Sequence, residues 1–271
     1  MTNTLRSDTR KRPQWVTVAI PSQHGAWGFW LEPSLAGLIA APSAATWLIV
    51  LAGLGALLTH HPLMIAYKDL RKGRVFARTR TALVLAAAFA LLALTMAVFA
   101  WQKSMSSLLP ALVAALPFAI VFFWHDLRND SRSLTAELCG AVAFAAIAPA
   151  CALAAAWPIE RALAIWLILI SRALPSIIYV RERLRLEKGK PAQPMLSHAA
   201  HTAALALQML LAVIGYAPWL PLLGGLMLFM RALRGLSQQR QAVSTRVIGF
   251  REIAYGIVFA LLTGIGYRLL V

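Results

Sequence analysis

With 271 residues, 60% of them hydrophobic and only 13% charged, and a mean hydropathy of +0.69, the chain is too apolar for a water-soluble domain. Such a domain carries roughly 45–50% apolar and about 25% charged residues. The formal net charge of +16 does not indicate nucleic acid as a partner, because that requires a soluble basic face, whereas basic residues between apolar runs mark loops beside anionic lipid.

The first fourteen residues are polar and include Arg6, Arg10, Lys11 and Arg12, and no small-residue cleavage site follows them. Residues 1–22 are therefore expected as an uncleaved cytoplasmic and interfacial segment. A spanning helix needs roughly 17–25 apolar residues. Nine segments qualify: 25–41, 45–66, 82–101, 107–124, 135–156, 162–180, 199–216, 218–230 and 253–270. The eighth is short and the ninth carries three glycines. Alanine and leucine dominate without period-two alternation, which predicts helices rather than a barrel. Cys139 and Cys151 fall on the fifth predicted helix, about 18 Å apart at 1.5 Å per residue, so they cannot bridge each other and read as packing residues. Stretches 181–197 and 231–252 are too short for a core of their own. The expected fold is all-α, a polytopic membrane protein with one transmembrane domain over residues 1–271.

The basic residues give an orientation. Four lie in the N-terminal segment, six after the second span (Lys68 to Arg80), two after the fourth, five after the sixth and five after the eighth. Lys103, Arg161 and Arg268 lie on the other side, and Arg172 is inside the sixth span. This asymmetry predicts a cytoplasmic N-terminus in the cytoplasmic (inner) membrane.

His24, His60, His61, His125, His198 and His201 gather near the same helix ends, as do Asp69, Asp126, Asp130, Glu137, Glu182, Glu187 and Glu252. Interfacial residues are polar in any membrane protein. Ionisable groups within spans, however, face an interior or a water-filled site, and three features point to a polar cavity open to the cytoplasm. Glu32 precedes Pro33 inside the first span, Arg172 lies inside the sixth, and His60 and His61 precede Pro62 near the end of the second. Glu32 and Arg172 are expected partners, with a purely structural pair as the alternative.

The ends of the second and sixth spans, HHPLMIAYKDLRKGR and SRALPSIIYVRERLRLEKGK, each combine a polar intramembrane residue, a proline, a tyrosine and a basic run. Helical spacing groups His60, Met64, Tyr67 and Arg71 on one face, and Arg172, Ser176, Tyr179 and Arg183 on another. This is the pattern of a weak internal repeat, against chance similarity between two helix ends.

The densest polar motif is HDLRNDSRSLTAELCG. Asp126 and Asp130 are four residues apart, so a continuing helix would put both carboxylates on one face, suited to Mg²⁺ held against a diphosphate. Arg128 and Arg132 would supply phosphate forks, and Glu137 would enter the membrane on that face. Local salt bridging is the alternative. His198 and His201 offer a further metal pair with His60 or His61, unaccompanied by a CxxC or HExxH motif.

PSQHGAWGFWLEPSLAGL, with RSLTAELCG and YVRERLR, resembles the YwiC-like family of bacterial membrane proteins over most of the chain. A more distant resemblance is to the UbiA-type intramembrane prenyltransferases, whose nine helices carry cytoplasmic polar loops after the second, fourth and sixth. Gly25, Trp27 and Pro33 are similar to that family's first-helix pattern. Matching Arg78 and Thr79 to its R-T step puts Asp69 on the central aspartate of the first aspartate-rich motif, with Tyr67 two residues before it. Ile65 and Gly73 stand where an Asn and the last Asp belong, and the second motif has become basic: Arg181, Glu182, Arg183 and Arg185. Arg128 or Arg132 corresponds to the basic residue of the fourth loop. The resemblance implies a UbiA-like bundle that binds an isoprenoid diphosphate or other anionic membrane lipid, with Mg²⁺ as cofactor if the aspartates act as in the family. Whether such a ligand is transferred or only bound is left open by the missing aspartates, and no catalytic residue or oligomeric state is assigned. A small-molecule transporter and a non-catalytic membrane factor for a respiratory or cofactor pathway are the alternatives.

Overall fold

The computed structural model describes residues 14–20, 24–104 and 107–270. Among these residues the ordered elements are all helices: α1 (Gln14–Ala19), α2 (His24–Ala40), α3 (Ala44–Arg71), α4 (Ala77–Lys103), α5 (Leu109–Leu127), α6 (Leu134–Ala145), α7 (Ile147–Ala154), α8 (Ile159–Glu187), α9 (Pro194–Val213), α10 (Leu220–Gly235) and α11 (Thr245–Leu270). Each expected span except the fifth coincides with a single helix. Among the described residues seven stretches are long and apolar enough to cross a membrane: α3, α4, α5, α6 with α7, α8, α9 and α11. The shorter α2 and α10, 17 and 16 residues long, pack among them. The molecule is a multi-pass membrane protein.

The fifth span departs from the expected single helix. Pro149 has no N–H to give the Ala145 carbonyl, and Ala146 closes a tighter turn by donating to the Ala143 carbonyl at 3.2 Å. The span splits there into α6 and α7, so Cys139 and Cys151 lie on different helices, and both thiols are free. A second departure follows α5. Its helix stops at Leu127, and Asn129 takes a left-handed conformation with φ of 60°, which asparagine tolerates better than most residues.

Packing follows the rules of a lipid solvent, in which close backbone approach replaces hydrophobic expulsion. A Cβ on Gly55 would stand 2.9 Å from the Ala93 Cβ, which binds α3 tightly to α4. One on Gly264 would stand 3.1 Å from the Ala36 carbonyl oxygen, which does the same for α11 and α2. The central helix is α8, in contact with α6, α7, α9, α10 and α11. Around it lies a core of small and branched residues such as Ala148, Ala152, Ile165, Ile168 and Ala260. Outer helices α4 and α5 turn Val84, Leu91, Leu94, Val113 and Leu116 outward, the surface that lipid tails cover at no cost.

At 29 residues α8 is about 43 Å long, against a hydrocarbon layer of about 30 Å. Its last turns, with Arg181 and Arg183, reach beyond the apolar layer. Arg181 Nη1 donates to the Arg132 carbonyl at 2.9 Å, Arg183 Nη2 to the Gln241 carbonyl at 2.5 Å, and Arg71 Nη1 to the Leu127 carbonyl at 3.2 Å. These bonds gather the ends of α3, α5, α8 and α10 at one basic end of the bundle.

Candidate functional site

Charged side chains from α2, α8, α10 and α11 meet inside the bundle. Arg172 Nη2 donates to Glu32 Oε1 at 2.9 Å and to the Glu252 carbonyl at 3.1 Å. The Glu252 carboxylate in turn accepts from Arg231 Nη1. The other arm of Arg231 reaches His201 Nε2 at 3.2 Å and Ser176 Oγ at 3.4 Å. His201 Nδ1 lies 2.8 Å from the Ser197 carbonyl. A carbonyl can only accept, so Nδ1 carries the proton and Nε2 accepts from Arg231. The Arg231 guanidinium also lies over the Tyr179 ring, 4.0 Å from its centroid. Glu32, Arg172 and Arg231 are all buried. Two carboxylates and two guanidinium groups cancel, which is how a bilayer tolerates charges that would be costly singly.

Backbone placement makes this network possible. A Cβ on Gly256, one turn after Glu252, would fall 2.6 Å from Arg172 Nη2 and against the Glu32 carboxylate, so glycine lets α11 approach the pair. Gly235 does the same for Tyr179, whose Cε2 would lie 2.9 Å from an added Cβ. The Gly235 carbonyl also accepts from Arg183 Nη1, and Arg183 pairs with Glu187 at 2.7 Å. Arg183 thereby satisfies a carbonyl at the end of α10.

A second group of polar side chains lies at the basic end. Asp69 accepts from Arg78 Nε at 3.0 Å and Nη2 at 2.7 Å, and from Thr79 Oγ1 at 2.8 Å. Both of its carboxylate oxygens are therefore occupied. Beside it runs a groove of about 430 Å³ lined by Thr17, Val18, Ile65, Lys68, Asp69 and Arg78, between α1, α3 and α4. Further along, His60 Nε2 meets Asp126 Oδ2 at 2.5 Å, with the rings of Phe122 and Phe123 at 5.2 and 5.9 Å. His125 Nδ1 faces both Asp130 Oδ2 at 3.0 Å and Ser133 Oγ at 3.1 Å. Serine and acid thus share one ring nitrogen. A nucleophile relay needs them on opposite nitrogens, so this trio is a loop staple.

Residues 20–152 match the YwiC-like protein family. The YwiC-like stretch contains Glu32, the His60–Asp126 pair and most of the groove, whereas Arg172, His201, Arg231 and Glu252 lie beyond it. The buried network therefore joins the YwiC-like part of the chain to the part after it through a single ion pair from α2. No curated protein matches the chain.

The expected Glu32–Arg172 pair forms. The predicted face of α8 is buried along its length, at Arg172, Ser176, Tyr179 and Arg183. The corresponding face of α3 is used differently: His60 and Tyr67 are half-buried and Arg71 is exposed. The geometry expected of Asp126 and Asp130 is corrected. Because α5 ends at Leu127 and Asn129 turns the chain, Asp126 points to His60 and Asp130 to His125, rather than both from one helical face. Arg128 is exposed and stacks on Trp124 at 4.2 Å, and Arg132 is exposed. Glu137 turns to Arg181 at 2.9 Å instead of sharing a face with Asp130. His61 Nε2 lies 3.3 Å from the Thr17 carbonyl, His198 is half-buried, and the His24 side chain lies outside the described residues. Among the described residues no group of three or more His, Cys, Asp or Glu is arranged to hold a metal ion.

By sequence Arg231 and Glu252 bound the polar stretch 231–252 between the last two expected spans. In the structure α10 runs on to Gly235 and α11 begins at Thr245, so both are helical, and they pair with each other. A signal was present in the glycines: Gly235 and Gly256 each follow one of these residues by one helical turn, the spacing of a close helix contact around a buried side chain.

Proposed function

We propose that the protein binds an anionic amphiphile, an isoprenoid diphosphate or another phosphate-bearing membrane lipid, at its basic end, in a UbiA-like manner that needs no metal. The observation that carries this reading is the groove between α1, α3 and α4, in which apolar Val18 and Ile65 stand beside Lys68 and Arg78. An apolar wall next to two cations suits a molecule with a hydrocarbon tail and a phosphate headgroup. Asp69, the residue the UbiA resemblance assigns to metal, has both oxygens engaged by Arg78 and Thr79. It takes the Nε and Nη2 edge of the guanidinium and orients it, so that the Nη1 side, outside these bonds, can serve a phosphate. Binding of this kind fits a non-catalytic membrane factor, because binding alone accelerates nothing. The excess of Lys and Arg at this end favours a cytoplasmic orientation in the inner membrane, where anionic headgroups are abundant.

The test is thermal stabilisation of the purified protein by farnesyl diphosphate and by phosphatidic acid. Stabilisation that survives chelation of divalent cations and disappears in Lys68→Ala/Arg78→Ala supports the reading. Absence of any shift rejects it. A shift that requires Mg²⁺ and is lost in Asp126→Asn/Asp130→Asn favours the metal-dependent version instead. A second reading, a small-molecule transporter, is favoured by the charge-balanced network deep in the bundle, since such groups mark transport pathways in other membrane proteins. Counterflow in liposomes distinguishes it.

A further inference from the structure

Beside Glu32, between α2, α6 and α8, lies a small void whose lining includes Gly28, Phe29, Glu32, Ala145 and Leu169. It has room for the centre of a water-sized sphere over about 10 Å³, close to the minimum of about 10–15 Å³ that one water molecule needs. Volume alone does not make a hydration site, since apolar cavities of this size stay dry; two to four polar partners are also required.

Two prolines leave carbonyls of lining residues without their usual helical donor. Pro33, inside α2, has no N–H, so the carbonyl of Phe29 loses the donor that the helix would give it. Pro149, inside α7, withdraws the donor from the carbonyl of Ala145 in the same way, where α6 breaks from α7. Both deprived carbonyls belong to residues that line this void, and the third polar group there is the Glu32 carboxylate, whose Oε1 already accepts from Arg172. Arg172 already engages Glu32 Oε1, and none of the side chains lining the void carries a further donor.

We propose that this void is a specific internal water site, in which one water molecule donates to the Glu32 carboxylate and to a carbonyl freed by Pro33 or Pro149. The water gives Glu32 a second hydrogen bond and hydrates its charge within the apolar layer. The site is independent of the groove at the basic end and does not rest on lipid binding.

X-ray radiolytic labelling with mass spectrometry tests it, because hydroxyl radicals formed from a bound water modify the side chains next to it. Leu169, 3% exposed, lines the void, while Ile165 and Ile168 on the same helix are fully buried away from it. In the purified protein Leu169 is expected to be modified several-fold faster than those two isoleucines. Gly28→Ala adds a methyl 3.5 Å from Glu32 Oε1, an ordinary contact that fills space without strain, and should return Leu169 to their rate. Pro33→Ala, which restores the donor to Phe29, should slow it as well. Labelling of Leu169 no faster than that of Ile165 and Ile168, or labelling unchanged in both folded variants, overturns the proposal.

Discussion

Removing either member of the Glu32–Arg172 pair should destabilise the protein more per residue than removing both. The two side chains are 11% and 7% exposed and their charged atoms stand 2.9 Å apart. Arg172→Ala leaves Glu32 charged and unpaired within the bundle, and it also takes a donor from the Glu252 carbonyl. Breaking a buried pair costs about 3–5 kcal/mol, because the remaining charge is uncompensated. Glu32→Ala should cost somewhat less, since Arg172 keeps its bond to Glu252. In the double variant no charge is stranded, and the loss reduces to a hydrogen bond of about 1 kcal/mol plus the packing of two truncated side chains. The coupling in a double-mutant cycle should thus reach about 2–3 kcal/mol, toward the upper end of the range for contacting residues. Steric trapping in bicelles reads these free energies without harsh denaturant. Additive losses in the cycle would refute the reasoning and reduce the pair to a coincidence of placement.

Three other outcomes follow from the same geometry. Gly256→Ala should destabilise by about 1–3 kcal/mol, the range for overpacking, because its methyl meets the Arg172 guanidinium at 2.6 Å; if the variant unfolds like the wild type, α11 does not approach the pair as described. Asp126→Asn should weaken the link of α3 to α5, seen as faster hydrogen exchange at the end of α5; exchange there unchanged from the wild type would show that the His60–Asp126 contact does not hold the two helices together. Cysteines placed at Lys103 and Arg161 should react with an impermeant thiol reagent from outside the cell, and those at Arg74 and Lys188 should not; equal labelling of Lys103 and Arg74 would contradict the proposed topology.

The spans were legible in the sequence because hydropathy over about twenty residues is a strong signal in a bilayer. Boundaries within the polar segments were less so, and there the errors have local causes. The break at Ala146 depends on a single proline in an otherwise continuous apolar run, and hydropathy does not register a missing hydrogen bond. Asp126 and Asp130 looked like neighbours on a helix face because nothing in a periodicity argument anticipates the left-handed turn at Asn129. Arg231 and Glu252 have the look of loop residues because charge ordinarily goes with exposure, yet each sits in a helix against an opposite charge. Glu32 and Arg172 were found for the converse reason: each stands alone in an apolar run, where charge demands a partner.

Native mass spectrometry of the detergent-released protein tests whether the groove at Lys68 and Arg78 holds an anionic amphiphile. Spectra recorded with farnesyl diphosphate or phosphatidic acid, each with and without a chelator, count the bound amphiphiles. One anionic molecule per chain should be retained, unaffected by the chelator and lost in Lys68→Ala/Arg78→Ala but kept in Asp126→Asn/Asp130→Asn. Equal retention of a zwitterionic lipid, or retention that survives the Lys68→Ala/Arg78→Ala change, would contradict it.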